Sequence, residues 1–319
     1  MTPGATVERS DESPLAPEAR RFLADLERAG WQPRYRVGVA AARDQLALAR
    51  PRVGAPIDWV DDLMIPGHPG VPARLYRVAE EAGTIVFLHG GGWVLGDLDL
   101  SDAMCRDLAL HCGAAVLSVD YRLAPEHPFP AALDDVMAAL RWLEHESGLD
   151  GPVVLAGVSA GGNLAAAATL VARSEGGPPI AGQLLVCPVL DHDLDRPSYQ
   201  QFAEGYYLWR ADMAWFWDHY APLDRRSEPL ASPLRAESHR GLPPAVIVTA
   251  ECDPLRDEGR AYAERLEASG VATSYRCYAG ELHGFFGNPA MPSGATSLEQ
   301  AATEVRAILG AAAGEEANT

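Results

Sequence analysis

The chain has 319 residues, 48% of them hydrophobic, enough for a large buried core and too many for a disordered polypeptide. Its formal net charge of −18 sets aside nucleic acid and an anionic membrane surface as partners, because both would be repelled; the charge serves solubility. No run of 18 apolar residues occurs, so no transmembrane span is expected. The five cysteines (105, 112, 187, 252 and 277) lack any C-x-x-C spacing, which suits reduced thiols in a cytoplasmic protein better than a disulfide frame or a zinc site.

The segment from Met1 to Pro14 is polar and acidic, with no apolar signal stretch. Leu23, Leu26 and Ala29 then recur at helical spacing in a helix expected from Pro17 to Ala29. Ile57 to Ile65 and Val71 to Val78 read as strands joined by the turn Pro66-Gly67-His68-Pro69-Gly70. From Thr84 onward strands and helices alternate. Strands are expected at 84–88, 114–119, 152–158, 181–187, 244–250 and 271–277, with helices at about 98–112, 130–147, 160–174, 257–269 and 296–312. Short β-branched runs separated by helices predict an α/β fold with a mostly parallel eight-stranded sheet, covered on both faces and carrying an antiparallel edge.

More than fifty residues lie between the strand ending at Cys187 and the one starting near Pro244, too many for a plain connection. They hold Tyr206, Tyr207, Trp209, Trp215, Phe216, Trp217 and Tyr220. An aromatic stripe is more often core than pocket, but this one faces the candidate nucleophile. The expectation is an insertion at about 190–235 folding over the sheet as a helical cap, with Tyr206, Tyr207, Trp209 and Phe216 as pocket wall. The domain reading is a leader with cap helices over 1–50 and a catalytic domain over 51–319.

Gly157-Val158-Ser159-Ala160-Gly161 is a G-x-S-x-G sequence between an apolar run at 152–156 and an Ala/Leu-rich stretch at 163–172. That context bends the chain sharply from strand into helix and leaves the serine hydroxyl exposed. Alone the pattern would arise by chance about one time in ten in so glycine-rich a chain. A strand running into His89-Gly90-Gly91-Gly92 makes coincidence much rarer. Bare backbone N–H groups of Gly90 and Gly91, with that of Ala160, can meet a developing oxyanion.

A serine hydroxyl needs a base, and the base a carboxylate to orient it. His283 is the one histidine in the last loop and reads as general acid/base. Asp253 competes with Glu251, Asp257 and Glu258 for the acid; it lies immediately past a strand end and is favoured. Asp257 sits where a helix N-cap belongs, and Glu258 in the first turn. Asp191-His192-Asp193 reads as a solvated loop rather than a metal site. His89 reads as shaping the glycine loop, not as a second base. Trp93 either walls the substrate cleft or packs in the core.

His89-Gly90-Gly91-Gly92-Trp93, Asp120-Tyr121-Arg122-Leu123-Ala124-Pro125-Glu126, Gly157 to Gly162, Asp253 to Gly259 and His283-Gly284-Phe285 together resemble the bacterial hormone-sensitive-lipase-type esterases, a branch of the α/β-hydrolase superfamily. The resemblance spans about residues 57 to 310. It implies an α/β-hydrolase fold with a helical cap, a triad of Ser159, Asp253 and His283, no metal or organic cofactor, and dimers formed through the edge of the last strand. It further implies serine carboxylesterase activity on short- to medium-chain esters through an acyl-enzyme. The family usually places an acidic residue or threonine before the serine; Val158 departs from this, which predicts lowered activity or narrowed substrate choice without loss of turnover. A lactonase, an amidase or a biosynthetic dehydratase could use the same residues. A non-catalytic receptor of this fold would lack the histidine that is present here.

Overall fold

The computed structural model describes residues 14–48 and 54–316, so the expected polar leader and the boundary at 50–51 lie outside the described residues. In chain order the elements are α1 (Pro17–Arg28), α2 (Arg34–Leu48), β1 (Trp59–Ile65), β2 (Val71–Arg77), β3 (Thr84–Leu88), α3 (Leu98–Cys112), β4 (Ala115–Val119), α4 (Ala131–His145), β5 (Val153–Val158) and α5 (Ala160–Glu175). They continue with β6 (Gly182–Val186), α6 (Pro197–Gln201), α7 (Arg210–Tyr220), β7 (Ala245–Cys252), α8 (Arg256–Ala268), β8 (Thr273–Leu282) and α9 (Gly294–Glu316). Gly38, at φ 77°, breaks α2 into two helical pieces.

The eight strands form one sheet in the order β1-β2-β4-β3-β5-β6-β7-β8. β1 pairs antiparallel with β2, and β2 with β4; every other pairing is parallel. β3, β4 and β6 are buried along their whole length. Alternate residues feed two apolar layers, as a period of two requires. Val86, Leu117, Leu155, Leu185 and Ile247 pack with α4, α5 and α8 on one face. Ile85, Val116, Val154, Leu184 and Val246 pack with α3 and α9 on the other.

Two strands run further than their sequence pattern suggested. β7 reaches Cys252 across an irregularity between Ala250 and Cys252, and β8 reaches Leu282 instead of ending near 277. Partly exposed residues such as Tyr278 hid that extension, because it is set by pairing with β7. Asp253 and His283 therefore each stand one residue beyond a strand, at the C-terminal rim of the parallel sheet, where open α/β sheets place their sites.

The connection between β6 and β7 carries α6, α7 and a short 3-10 turn at Pro233–Arg235. It packs against the N-terminal helices. Tyr207 stacks on Trp31 and lies against Phe22, and Arg34 faces Asp212 at 3.6 Å. No helix among the described residues is long and apolar enough to cross a membrane.

Candidate active site

Ser159 links β5 to α5 with φ 57° and ψ −116°, a conformation strained for a residue bearing a Cβ. The surroundings hold it there. Its N–H donates to the Val186 carbonyl at 2.8 Å, and its carbonyl accepts from Asn163 and Val189. The turn is tight enough that a Cβ on Gly161 would lie 2.0 Å from the Leu88 carbonyl oxygen, so only glycine lets α5 start this close to β3. As first residue of α5, Ala160 has an N–H with no acceptor inside the helix.

The glycine loop after β3 is set by His89. Its ring is fully buried, stacks on Tyr121 with centroids 4.2 Å apart, and donates from Nδ1 to the Gly90 carbonyl at 2.8 Å. Burial pulls its pKa down to about 4, so it is neutral at pH 7. Fixing the Gly90 carbonyl also fixes the opposite side of the same peptide plane, the N–H of Gly91. Tyr121 donates to the His89 carbonyl at 2.8 Å and secures the other end of the loop.

His283 Nδ1 donates to Asp253 Oδ2 at 2.7 Å, and the other carboxylate oxygen accepts the Leu255 N–H at 3.0 Å. Asp253 is completely buried, Ser159 is 6% exposed and His283 8%. Cys187 Sγ, a carboxylate oxygen of Asp253 and a ring nitrogen of His283 lie within 4.8 Å of one another. Burial, then the neighbouring carboxylate, pushes the Cys187 thiol well above its ordinary range, so it stays protonated and is a poor metal ligand.

A cavity of about 480 Å³ joins these parts. Ser159, His283, Gly90 and Gly91 line it, with Gly92, Val158 and Gly284 beside them. Of the expected pocket aromatics, Tyr207 and Phe216 form wall, whereas Trp93, Tyr206 and Trp209 do not. Trp93 is fully buried, stacks face to face on Tyr220 at 3.9 Å and donates to Asn163 Oδ1 at 3.3 Å, which makes it a core residue. Tyr206 turns onto Phe202, and Trp209 packs on Tyr35. Sequence reasoning missed Phe22, Arg34 and Leu46 from the N-terminal helices, and also Met104 and Phe286. The expectation of cap helices over 1–50 pointed to the first three only as a group, and the position of Phe286, three residues after His283, hinted at the last.

Other expectations require correction. α8 begins at Arg256 with Leu255 before it, so Asp257 is not the N-cap; its Oδ2 accepts the Ser198 N–H at 2.8 Å. Glu258 does stand in the first turn of α8, as expected; it is fully buried there and accepts from the N–H groups of Leu190 and Asp191, each at 2.6 Å, and from the Tyr199 hydroxyl at 3.0 Å. It ties down the turn after β6. Asp191 is not solvated: it is 3% exposed and bonded by Arg196 at 2.7 Å and Arg235 at 2.6 Å.

Residues 85–287 match a family model described as the alpha/beta hydrolase fold. The chain is 46% identical over 241 residues to the carboxylic ester hydrolase LipN of Mycobacterium tuberculosis, a match covering 71% of this chain and 64% of that protein. It is 37% identical over 290 residues to an arylesterase of Saccharolobus solfataricus, covering 86% and 94%. Among solved structures, an alpha/beta hydrolase enzyme from the metagenome of Lake Arreo, Spain, superimposes with a TM-score of 0.87 at 38% identity, covering 93% of this chain and 99% of that one. With its sheet order and these likenesses in agreement, the chain belongs to the alpha/beta hydrolase family and, within it, to the carboxylic ester hydrolases.

Proposed function

We propose that the protein hydrolyses short- to medium-chain carboxylic esters with Ser159 as nucleophile, His283 as general acid/base and Asp253 as its orienting carboxylate. The observation that carries this reading is the 2.7 Å bond from His283 Nδ1 to Asp253, with Ser159 and His283 on one cavity. Because Nδ1 keeps its proton and donates it in a hydrogen bond to Asp253, Nε2 is the basic nitrogen. It removes the Ser159 proton as Oγ attacks the ester carbonyl. The oxyanion is met by the N–H groups of Gly90, Gly91 and Ala160. His283 then protonates the leaving alcohol, and water activated by the same nitrogen releases the acid from Ser159.

The mostly apolar cavity suits an uncharged ester. The N-terminal helices and the 190–235 segment serve as a cap over it, a reading supported by their mutual packing through Tyr207, Trp31 and Asp212. Five free cysteines, four of them buried, favour a cytoplasmic setting. β8 lies at one edge of the sheet and is the surface through which a homodimer would form.

A panel of p-nitrophenyl esters of increasing acyl length tests the activity, with Ser159→Ala as control. Stoichiometric labelling by a dialkyl p-nitrophenyl phosphate, read by intact mass, tests the nucleophile. Turnover of the short esters and a single label absent from Ser159→Ala are expected. Ester binding without turnover, or a label retained in the variant, would overturn the assignment.

A further inference from the structure

Arg34 opens α2 with a side chain only 9% exposed, and it lines the cavity. Its Nη1 donates to the Tyr207 carbonyl at 2.6 Å and lies 3.6 Å from Asp212 Oδ2. The guanidinium carbon sits 4.4 Å from the centre of the Tyr207 ring and 4.8 Å from that of Trp31. Trp31 stacks on the same ring at 5.7 Å, and Phe22 of α1 lies at 5.9 Å. Asp212 also accepts the N–H groups of Tyr35 and Trp209, so the ion pair is anchored at both ends. Asp212 balances the charge of Arg34, which therefore acts as a support rather than an anion receptor.

One edge of the Tyr207 ring lies beside the turn that follows the candidate base. Two of its carbons lie 3.5 and 3.7 Å from the position a Cβ on Gly284 would take, and Gly284 follows His283 directly. A leaving oxygen must come within reach of His283 to be protonated, so the space beside that turn receives the alcohol part of the ester. We propose that Arg34 is a specificity-determining residue: it locks Tyr207 against the His283–Gly284 turn and so limits the size of the leaving alcohol. An arginine suits the task because one planar fork both bonds a carbonyl and stacks on rings, which a lysine ammonium cannot do. The inference rests on the triad reading above.

The test is the ratio of kcat/KM for cyclohexyl butyrate over methyl butyrate, followed by titration of released acid. Arg34→Ala is expected to raise it roughly fivefold or more, Tyr207→Ala comparably, and the double variant no further than Tyr207→Ala, since the two act as one unit. Arg34→Met, which keeps buried volume, carries the same expectation should Arg34→Ala not fold. A ratio within about twofold of the parent in a folded Arg34 variant, or effects that multiply in the double variant, overturns the inference. Ser159→Ala separates the two levels. If it retains turnover, the triad reading fails; if it is inactive while the ratio stays put, only the role of Arg34 fails.

Discussion

Burial pushes the Glu258 carboxyl up to about 8 from an ordinary 4.5, against the opposing pull of the N–H groups of Leu190 and Asp191 and the Tyr199 hydroxyl. Each factor of ten in proton affinity is worth about 1.4 kcal/mol, so this displacement amounts to roughly 5 kcal/mol. Below pH 4.5 folded and unfolded chains both hold the proton, and the group adds no pH dependence. Between 4.5 and about 8 the unfolded chain releases the proton while the folded one keeps it, so stability falls as pH rises. Above 8 both states are ionised and the loss levels off. Glu258→Gln keeps an oxygen for the two N–H groups and cannot titrate; its NH2 faces the Tyr199 hydroxyl, which rotates from donating to accepting. Urea unfolding of parent and variant at pH 5, 6, 7 and 8 should therefore show the parent losing about 4 kcal/mol relative to the variant over that range. Parallel stability curves would refute a buried, protonated Glu258, and so would a parent that gains on the variant as pH rises.

Asp253→Asn should leave KM little changed and lower kcat by about 10⁴, because an amide can present a donor to Nδ1 and stabilise the wrong tautomer; a fall under tenfold contradicts its orienting role. Gly161→Ala should cost about 3 kcal/mol or more, since its methyl would meet backbone 2.0 Å away, whereas Gly310→Ala, with open space around it in α9, should be neutral or stabilising. Thermal melts of the two variants compare them directly, and equal melting temperatures would count against the close approach at Gly161. Asn163→Ala removes the acceptor of Trp93 and the donor to the Ala231 carbonyl at 2.8 Å, both buried, and should cost roughly 2–3 kcal/mol in urea unfolding; a cost near zero would mean that water replaces the bonds. Val158 lines the cavity beside Gly90. Val158→Asp should alter the pH profile and raise KM for apolar esters, and unchanged kinetics would mark the valine as a neutral replacement.

The chain of amino acids determined the sheet and the turn that holds Ser159, because those depend on near neighbours. Runs such as Thr84–Leu88 can be little but buried strand, and Ser159 between close-packed glycines can be little but a tight strand-to-helix turn. Which aromatic faces the cavity was decided elsewhere. Tyr206, Tyr207 and Trp209 are nearly adjacent in a segment without regular structure, so no periodicity assigns their directions. Contacts from Trp31 and Arg34, more than 170 residues away, turn Tyr207 inward, while Phe202 takes Tyr206 and Tyr35 takes Trp209. The same holds for Glu258 and Asp191: a carboxylate reads as surface until distant N–H groups and arginines close around it. Local sequence fixes conformation within a few residues; burial is a property of the whole packed chain.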